Sequence, residues 1–526
     1  MRSWFSTTEV AAVPPGAELE VRAEGAIRAL DRGTIEMARW SGLAGASVRA
    51  VSLAEAFALA DGTGIAIARV EVADARVAPL FAIPLEGGAP WRALDSLIRM
   101  GQSRDGLRGG RLIGLPAASE SSGGRFDEDH EPTAAGVRAM PGDQSHTSVV
   151  LDDAWVLKLY RRLTLGANPE AEMIEALANV PGAPIPVWGG AAMVTLPDGA
   201  IMVLAIRQSF VLDAVDAFEL IADELAAWLP GPAAGSRLPS RGLDVIEATG
   251  RATGALHRAL AAVPGPGFGR RRSGADDLQG RHLAALARID AARAALATVA
   301  PALRQAIIGA NEEIVAALVP LARSSEADQL QRIHGDLHLG QILPQADAVV
   351  LIDFEGDPTR PVETRAGLDL PLRDVATFLR SIDHVARSGA RRAAHGAPGP
   401  IDPEPNSLIE RRLAGWIKAA RSRFLSGYAA GIGDDAWRPD GPLLRALEVE
   451  KELAEFVYAA TFLPPWLYAP DGGMRALLGA SWATGMATSD RGVTRGGAAG
   501  DTTDGDKVAG DTMFGDKVAG DTATGR

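Results

Sequence analysis

An α+β fold in two dissimilar parts is predicted by three features of the chain. Short apolar runs with period-two alternation crowd the first 210 residues. Apolar residues at three- and four-residue spacing dominate from about 213 to 330 and again from about 372 to 482. One hairpin-like stretch, "IHGDLHLGQILPQADAVVLIDFEGDP" (333–358), interrupts those helices and carries an acidic cluster at each end.

Residues 1 to about 100 contain the runs "AELEVRAEGAIRAL", "GTGIAIARVEV" and "RVAPLFAIPL", read as a small β-rich domain with one or two helices. Residues 102–143 are rich in Gly, Ser, Asp and Pro, and "AASESSGGRFDEDHEPTAAG" reads as a linker or mobile loop. "HTSVVLDDAWVLKLYRRL" then predicts two strands turning at Asp152-Asp153, and "NPEAEMIEALANV" a helix capped by Asn168 with Pro169 at its first position. "AAMVTLPDGAIMVLAIRQSF" predicts another hairpin, turning at Pro197-Asp198-Gly199. The resulting boundaries are 1–100, 101–210, 211–487 and 488–526. The last segment repeats "GDKVAGDT" at a ten-residue period, lacks bulky apolar side chains and is expected to be disordered.

Composition excludes several classes. With 526 residues, 47% of them hydrophobic, two or three units with real cores are expected. A formal net charge of −13 argues against general nucleic-acid binding. Without cysteines there is no disulfide framework and no thiolate chemistry. The start "MRSWFSTTEV" has no basic region followed by an apolar one, and no apolar stretch reaches the length of a bilayer span. The expectation is a soluble cytoplasmic protein with no membrane partner; oligomeric state stays open.

A sheet-rich lobe carrying a lysine, followed by a helical lobe carrying two acidic clusters, is the layout of phosphoryl transfer on a kinase-like fold. That reaction needs a positioned hydroxyl, a base for its proton, and Mg²⁺ held by hard oxygens against the phosphates of ATP. In "HGDLHLGQ", Asp336 is the candidate base and Gln341, five residues on, offers an amide oxygen to the metal. In "LIDFEGD", Asp353 ends an apolar strand as the second metal ligand, with Glu355 standing between Phe354 and Gly356 where a kinase has Asp-Phe-Gly. Lys158 in "VLKLY" is expected to pair with the α- and β-phosphates. Its helical partner is Glu172 or Glu170; Glu172 is preferred, because Glu170 lies in the first turn and can serve the helix dipole alone. "GDQSHTSVV" supplies small donors, Ser145 and Thr147, where a phosphate-covering turn belongs, and "RQSFV" puts Gln208 and Phe210 at the connection beside the adenine. His334 is read as orienting the loop, and His338 as touching the sugar or a phosphate.

"GDQSHTSVVLDDAWVLKLYRRLTLGANPEAE", "HGDLHLGQILPQADAVVLIDFEGDPTRP" and "PLRDVATFLRSID" together resemble the actinobacterial maltokinases and glucosamine kinases, within the aminoglycoside-phosphotransferase-like kinases. The resemblance spans roughly 140–470. It implies a bilobal kinase-like fold with an N-terminal cap domain and an ATP- and Mg²⁺-dependent sugar kinase. In that reading Asp336 is the base, Gln341 and Asp353 hold metal, and Lys158 holds phosphate.

The choice of sugar turns on "EKELAEFVYAATFLPPWLYAP" (450–470). Ala446, Val449, Leu453, Phe456, Val457 and Ala460 mark a buried helix face, with Glu448, Glu452 and Glu455 on a neighbouring one. Pro464 and Pro465 force the helix to end near Leu463. The run "AATFLPPW" is more similar to the glucosamine kinases than to the Arg-Asn-Arg-Pro-like run of maltokinases, making Glu455, Tyr458 and Trp466 candidate sugar contacts. Glucosamine is thus the preferred acceptor, with maltose or an aminoglycoside as alternatives, and a kinase-shaped scaffold as the non-enzyme alternative. A Glu stripe can equally be a solvated helix face, and Trp466 a plug at the helix end.

Overall fold

The computed structural model describes residues 15–482, apart from 31, 38–40, 42, 44–45, 74–77, 86–89, 119–135, 141–145, 213, 232–236, 266, 324–328, 347, 358–359, 361 and 395–407. The repeat tail and Ser145 fall outside the described residues. The chain divides into two compact units, Met1–Pro181 with Ile185–Asp213, and Gly182–Pro184 with Ala214–Arg526.

The first unit runs α1 (Pro15–Ala29), α2 (Arg32–Met37), β1 (Val48–Ala58), β2 (Gly64–Val72), β3 (Leu80–Leu85), α3 (Pro90–Arg99), β4 (Ser103–Asp105), β5 (Arg111–Pro116), β6 (Val137–Ala139), β7 (His146–Leu151), β8 (Trp155–Tyr160), β9 (Arg162–Leu163), α4 (Pro169–Ala178), β10 (Trp188–Thr195) and β11 (Ile201–Ser209). Two antiparallel sheets result, in the orders β1-β2-β3-β9 and β4-β5-β10-β11-β8-β7-β6. The alternation seen in β2 is not an in-out pattern. Ile65, Ala66, Ile67 and Ala68 are all fully buried, since β2 is covered on both faces. One face meets α1, whose Leu19, Ala23 and Ile27 recur at i, i+4 and i+8 and join Leu53, Ala56 and Phe81 in one core.

One expectation needs correction here. "AELEVRAEGAIRAL" is not one of a series of short runs separated by turns but most of α1, because its buried residues follow a four-residue spacing. The segment read as a linker, 117–136, lies almost wholly outside the described residues; β4 and β5 precede it and β6 follows it, and β5 pairs with β10 from Gly190↔Pro116 to Thr195↔Arg111. Asp152 and Asp153 adopt positive φ (54° and 50°) at the β7–β8 turn, which short polar side chains tolerate.

The second unit is mostly helical. It runs α5 (Ala217–Trp228), α6 (Ser240–Ala262), β12 (Arg271–Arg272), α7 (Ala275–Val299), α8 (Pro301–Gly309), α9 (Asn311–Leu318), β13 (Gln329–Leu330), β14 (Ile342–Gln345), β15 (Ala348–Leu351), α10 (Val362–Arg365), α11 (Pro371–Ala393), α12 (Leu408–Ile432), α13 (Gly441–Phe462) and α14 (Tyr468–Leu478). At its centre α11 packs against α5, α12, α13 and α14. β14 and β15 form the hairpin between the two acidic clusters, with Ile342 opposite Leu351 and Gln345 opposite Ala348. α13 stops at Phe462, directly before Leu463 and the two prolines. Among the described residues no single helix is long and apolar enough to cross a membrane.

α6 and α12 approach closely through paired glycines four residues apart, Gly250 and Gly254 facing Gly427 and Gly431. A Cβ on Gly427 would come within 2.2 Å of the Glu247 carbonyl oxygen, and one on Gly250 within 2.2 Å of that of Phe424. Gly427→Ala is therefore expected to push the helices apart and lower stability by about 1–3 kcal/mol, read from the denaturant midpoint.

Candidate active site

Lys158 lies on β8, opposite Ser148 on β7 and Ile206 on β11, and is 3% exposed. Its ammonium is 2.6 Å from Glu170 Oε2, and the Tyr160 hydroxyl donates to the same oxygen at 2.6 Å. The partner is thus Glu170, not the preferred Glu172. Asn168 caps α4 by accepting from the N–H groups of Glu170 and Ala171, and Pro169 fixes the first helical residue. That entry angle turns Glu170 inward to complete burial, while Glu172 stays half-exposed. A first-turn glutamate can serve the dipole and a buried cation together. In the same unit, the half-buried Thr147 hydroxyl accepts from Arg161 Nε at 3.0 Å. Gln208 is buried on β11, and the Phe210 N–H donates to the Ala154 carbonyl at 2.7 Å.

In the second unit the two acidic clusters meet through glycines. Gly335 and Gly356 both have positive φ (87° and 77°), and a Cβ on Gly335 would lie 3.1 Å from Gly356 Cα. Asp374, fully buried on α11, accepts from the N–H groups of His334 (2.8 Å) and Gly335 (2.9 Å), and its Oδ2 is 2.9 Å from His257 Nε2 on α6. His257 Nδ1 in turn meets the Tyr428 hydroxyl at 2.9 Å. His334 Nε2 lies 3.0 Å from the Ile352 carbonyl oxygen, tying the first loop to the residue before Asp353.

Gln341 Nε2 donates to Asp353 Oδ2 at 2.8 Å. Asp353 is held at φ 68°, a conformation that non-glycine residues rarely adopt and that clusters at functional sites. A carboxylate and a carboxamide in contact form a hard-oxygen donor set of the size magnesium takes from a protein, once the amide turns its oxygen inward. The residues fit the expected metal.

Asp336 follows Gly335 on the same loop. Its Oδ1 lies 3.2 Å from the ammonium of Lys451, and its Oδ2 3.8 Å from His338 Nε2. His338 Nδ1 accepts from the Gly340 N–H, which assigns the ring proton to Nε2, the side facing Asp336. Burial pushes the His338 pKa down against the opposing pull of Asp336, so the ring is neutral at pH 7.

Beside this loop is a small, open-mouthed cavity. It is lined by Phe218, His338, Thr377, Arg380, Ser381, His384, Lys451, Glu455 and Trp466. Glu455 and Trp466, both expected as sugar contacts, line it. Tyr458 does not; its ring packs on Phe462, 5.5 Å away, one turn further along α13. The glutamate stripe is not a solvated face. Glu448 and Glu452 are 3% and 0% exposed, and Glu455 is mostly buried. Arg380 reaches both Glu448 (2.9 Å) and Glu452 (3.3 Å), and His384 reaches Glu452 at 3.1 Å. Lys451 Nζ lies 2.8 Å from Glu455 Oε1. Burial opposes the charge of His384, but Glu452 and the other nearby carboxylates outweigh it and raise its pKa.

A second ionic group holds the segment after Asp353. Arg288 bridges Asp357 and Glu450, Arg373 bridges Glu450 and Asp369, and Arg360 bridges Asp369 and Asp357, closing a ring at distances of 2.8–3.7 Å. Burial would raise the Asp369 pKa, yet Arg373 and Arg360 hold it well below the carboxylate range.

Sequence reasoning assigned no role to Asp374, Lys451, Arg380 or His384. One signal could have found the last two: Thr377, Arg380, Ser381 and His384 follow three- and four-residue spacing and so share one face of the helix.

These features define an α+β phosphotransferase of kinase-like fold. The chain belongs to the phosphotransferase enzyme family, whose family model matches residues 136–408, and it is an enzyme transferring phosphoryl groups to a hydroxyl acceptor. It is 30% identical over 354 residues to a glucosamine kinase of Mycolicibacterium smegmatis, covering 66% of this chain and 80% of that one. It is 29% identical over 352 residues to a glucosamine kinase of Streptacidiphilus jiangxiensis, covering 65% and 74%. The fold is shared with a crystal form of glucosamine kinase (TM-score 0.62, 23% identity, 86% of this chain and 98% of that chain). A glucosamine kinase in complex with glucosamine, ADP and inorganic phosphate also shares it (TM-score 0.61, 23% identity, 84% and 97%).

Glu170→Gln is expected to lower stability by about 3 kcal/mol by stranding a buried ammonium, and Glu172→Gln by less than about 0.5 kcal/mol; denaturant unfolding compares them. For His384, the raised folded-state pKa means the folded protein holds the proton more tightly. Its stabilisation is full below the ordinary value of 6.5 and is lost as pH rises through the raised one. Unfolding free energies measured upward from pH 6.5 should fall in the wild type, and His384→Gln should flatten that slope.

Proposed function

We propose that this protein is an ATP-dependent sugar kinase whose acceptor is glucosamine, phosphorylated on its 6-hydroxyl. The observation that carries this reading is a pair of carboxylates bridged by Lys451, of which Glu455 lines the cavity and Asp336 stands next to it. Asp336 supplies a proton acceptor and Glu455 an anion on the cavity wall, with Trp466 beside them. An amino sugar offers the matching groups: a hydroxyl to be deprotonated, an ammonium for the carboxylate, and an apolar ring face for the indole. The names of the two relatives from M. smegmatis and S. jiangxiensis point the same way.

In this reading Asp336 accepts the proton of the 6-hydroxyl as that oxygen bonds to the γ-phosphorus. The bond from the γ-phosphorus to the β,γ-bridging oxygen breaks, and ADP leaves with that electron pair. His338, which lines the cavity with its Nε2 3.8 Å from Asp336 Oδ2, helps hold that carboxylate in place. Gln341 and Asp353 would hold Mg²⁺, which offsets phosphate charge when bound. Lys158, held by Glu170, would contact the α- and β-phosphates. Ser145 and Thr147 would lie at the phosphates, with Gln208 and Phe210 near the adenine. The cytoplasm expected from the sequence is where ATP is available.

A panel of glucosamine, glucose, maltose and an aminoglycoside with ATP and Mg²⁺ tests this. Glucosamine should be turned over with the highest kcat/KM. Asp336→Asn should lower kcat by about 10²–10⁴-fold with the thermal transition retained. Turnover of maltose with none of glucosamine would sink the assignment of the sugar.

A further inference from the structure

Lys451 sits between the two carboxylates on which the proposed reaction depends. Its ammonium is 3.2 Å from Asp336 Oδ1 and 2.8 Å from Glu455 Oε1, and all three side chains are between 15% and 18% exposed. Lys451 and Glu455 are one helical turn apart on α13, whereas Asp336 belongs to the loop hung from Asp374. One cation thus joins the wall expected to meet the sugar's amine to the group expected to take the sugar's proton.

We infer that Lys451 is a positioning residue that couples recognition of the substrate amine at Glu455 to the aim of the Asp336 carboxylate. The inference rests on the sugar-kinase reading above. Two physical consequences follow from the geometry. By holding Oδ1, Lys451 restricts rotation of the Asp336 carboxylate and leaves Oδ2 to meet a hydroxyl. By occupying Glu455, it competes with any incoming ammonium for the same carboxylate. Seating the amine weakens the Lys451–Glu455 contact and leaves the lysine to Asp336. Binding is weaker than an unoccupied carboxylate would make it, and the base is held more firmly once the substrate is seated. Burial disfavours the charge on Lys451, but Asp336, Glu455 and Asp357 outweigh it and raise its pKa, so the strut stays cationic across the working pH range.

The test is steady-state kinetics of the full-length enzyme and its Lys451→Met and Lys451→Gln variants, with glucosamine and glucose as acceptors and thermal melts as a check on folding. The coupling expects KM and kcat to move the same way: KM for glucosamine several-fold lower, because Glu455 is released, and kcat lower by about 10–100-fold, because Asp336 has lost its anchor. KM for glucose, which carries no charge, should not fall. A purely structural lysine would instead raise KM as kcat drops. An unchanged or raised KM for glucosamine, or an unchanged kcat, overturns the inference. If the wild type does not turn over glucosamine, the reading of the sugar has failed. Lys451 is then judged on whichever sugar the wild type uses, where an unaltered kcat in the variants overturns its role at Asp336.

Discussion

The carboxylate of Asp374 is the point on which the second unit's chemistry hangs. It is fully buried, and an isolated carboxylate there would be costly. It is stable because the N–H groups of His334 and Gly335 donate to its two oxygens and the His257 imidazole meets it from α6. The same contacts fix the backbone immediately before Asp336. α11 thereby sets where the loop begins, and Gly335, at positive φ against Gly356, sets how near the second acidic loop can come. A helix buried on nearly all faces can carry such a group because its other charged residues are matched as well, Asp383 by Arg387 and Arg380 by Glu448 and Glu452.

α13 is the counterpart of α11. Its apolar face is buried as an ordinary core helix, and its glutamates are buried too. Three carboxylates at three- and four-residue spacing would repel one another in a low-dielectric setting. Arg380, His384 and Arg421 interleave with Glu448 and Glu452, and Lys451 takes Glu455. Buried ion pairs are weak evidence for stability, since desolvation offsets much of their attraction, but they fix geometry. Here the geometry is the wall of the cavity.

How much of this was legible in the sequence follows the range of the interactions. The hairpin of β14 and β15, the Asn168 cap, the turn at Asp152-Asp153 and the stop at Pro464-Pro465 depend on neighbours a few residues apart, and each could be read. That Gln341 and Asp353 meet was legible because their spacing is set by one short hairpin. What escaped depends on residues far apart in the chain. Glu170 and Glu172 differ only in which way α4 enters, and Lys451 is one charged residue among many until Asp336, 115 positions earlier, is set beside it. α1 was obscured because Glu and Arg alternate with its apolar residues, so a four-residue spacing passed for short runs. The glycine pairs of α6 and α12 explain nothing until the two helices are seen in contact.

The ring that Asp357, Arg360 and Asp369 close with Arg288, Arg373 and Glu450 bears on how such an enzyme is governed. In many kinases the equivalent stretch becomes ordered only when a phosphorylated side chain arrives to satisfy waiting arginines. Here each guanidinium already has two anionic neighbours from its own chain. A newly attached phosphate would meet charges that are already balanced. The positive charge that holds this segment is thus neutralised from within the chain, three guanidinium groups against three carboxylates.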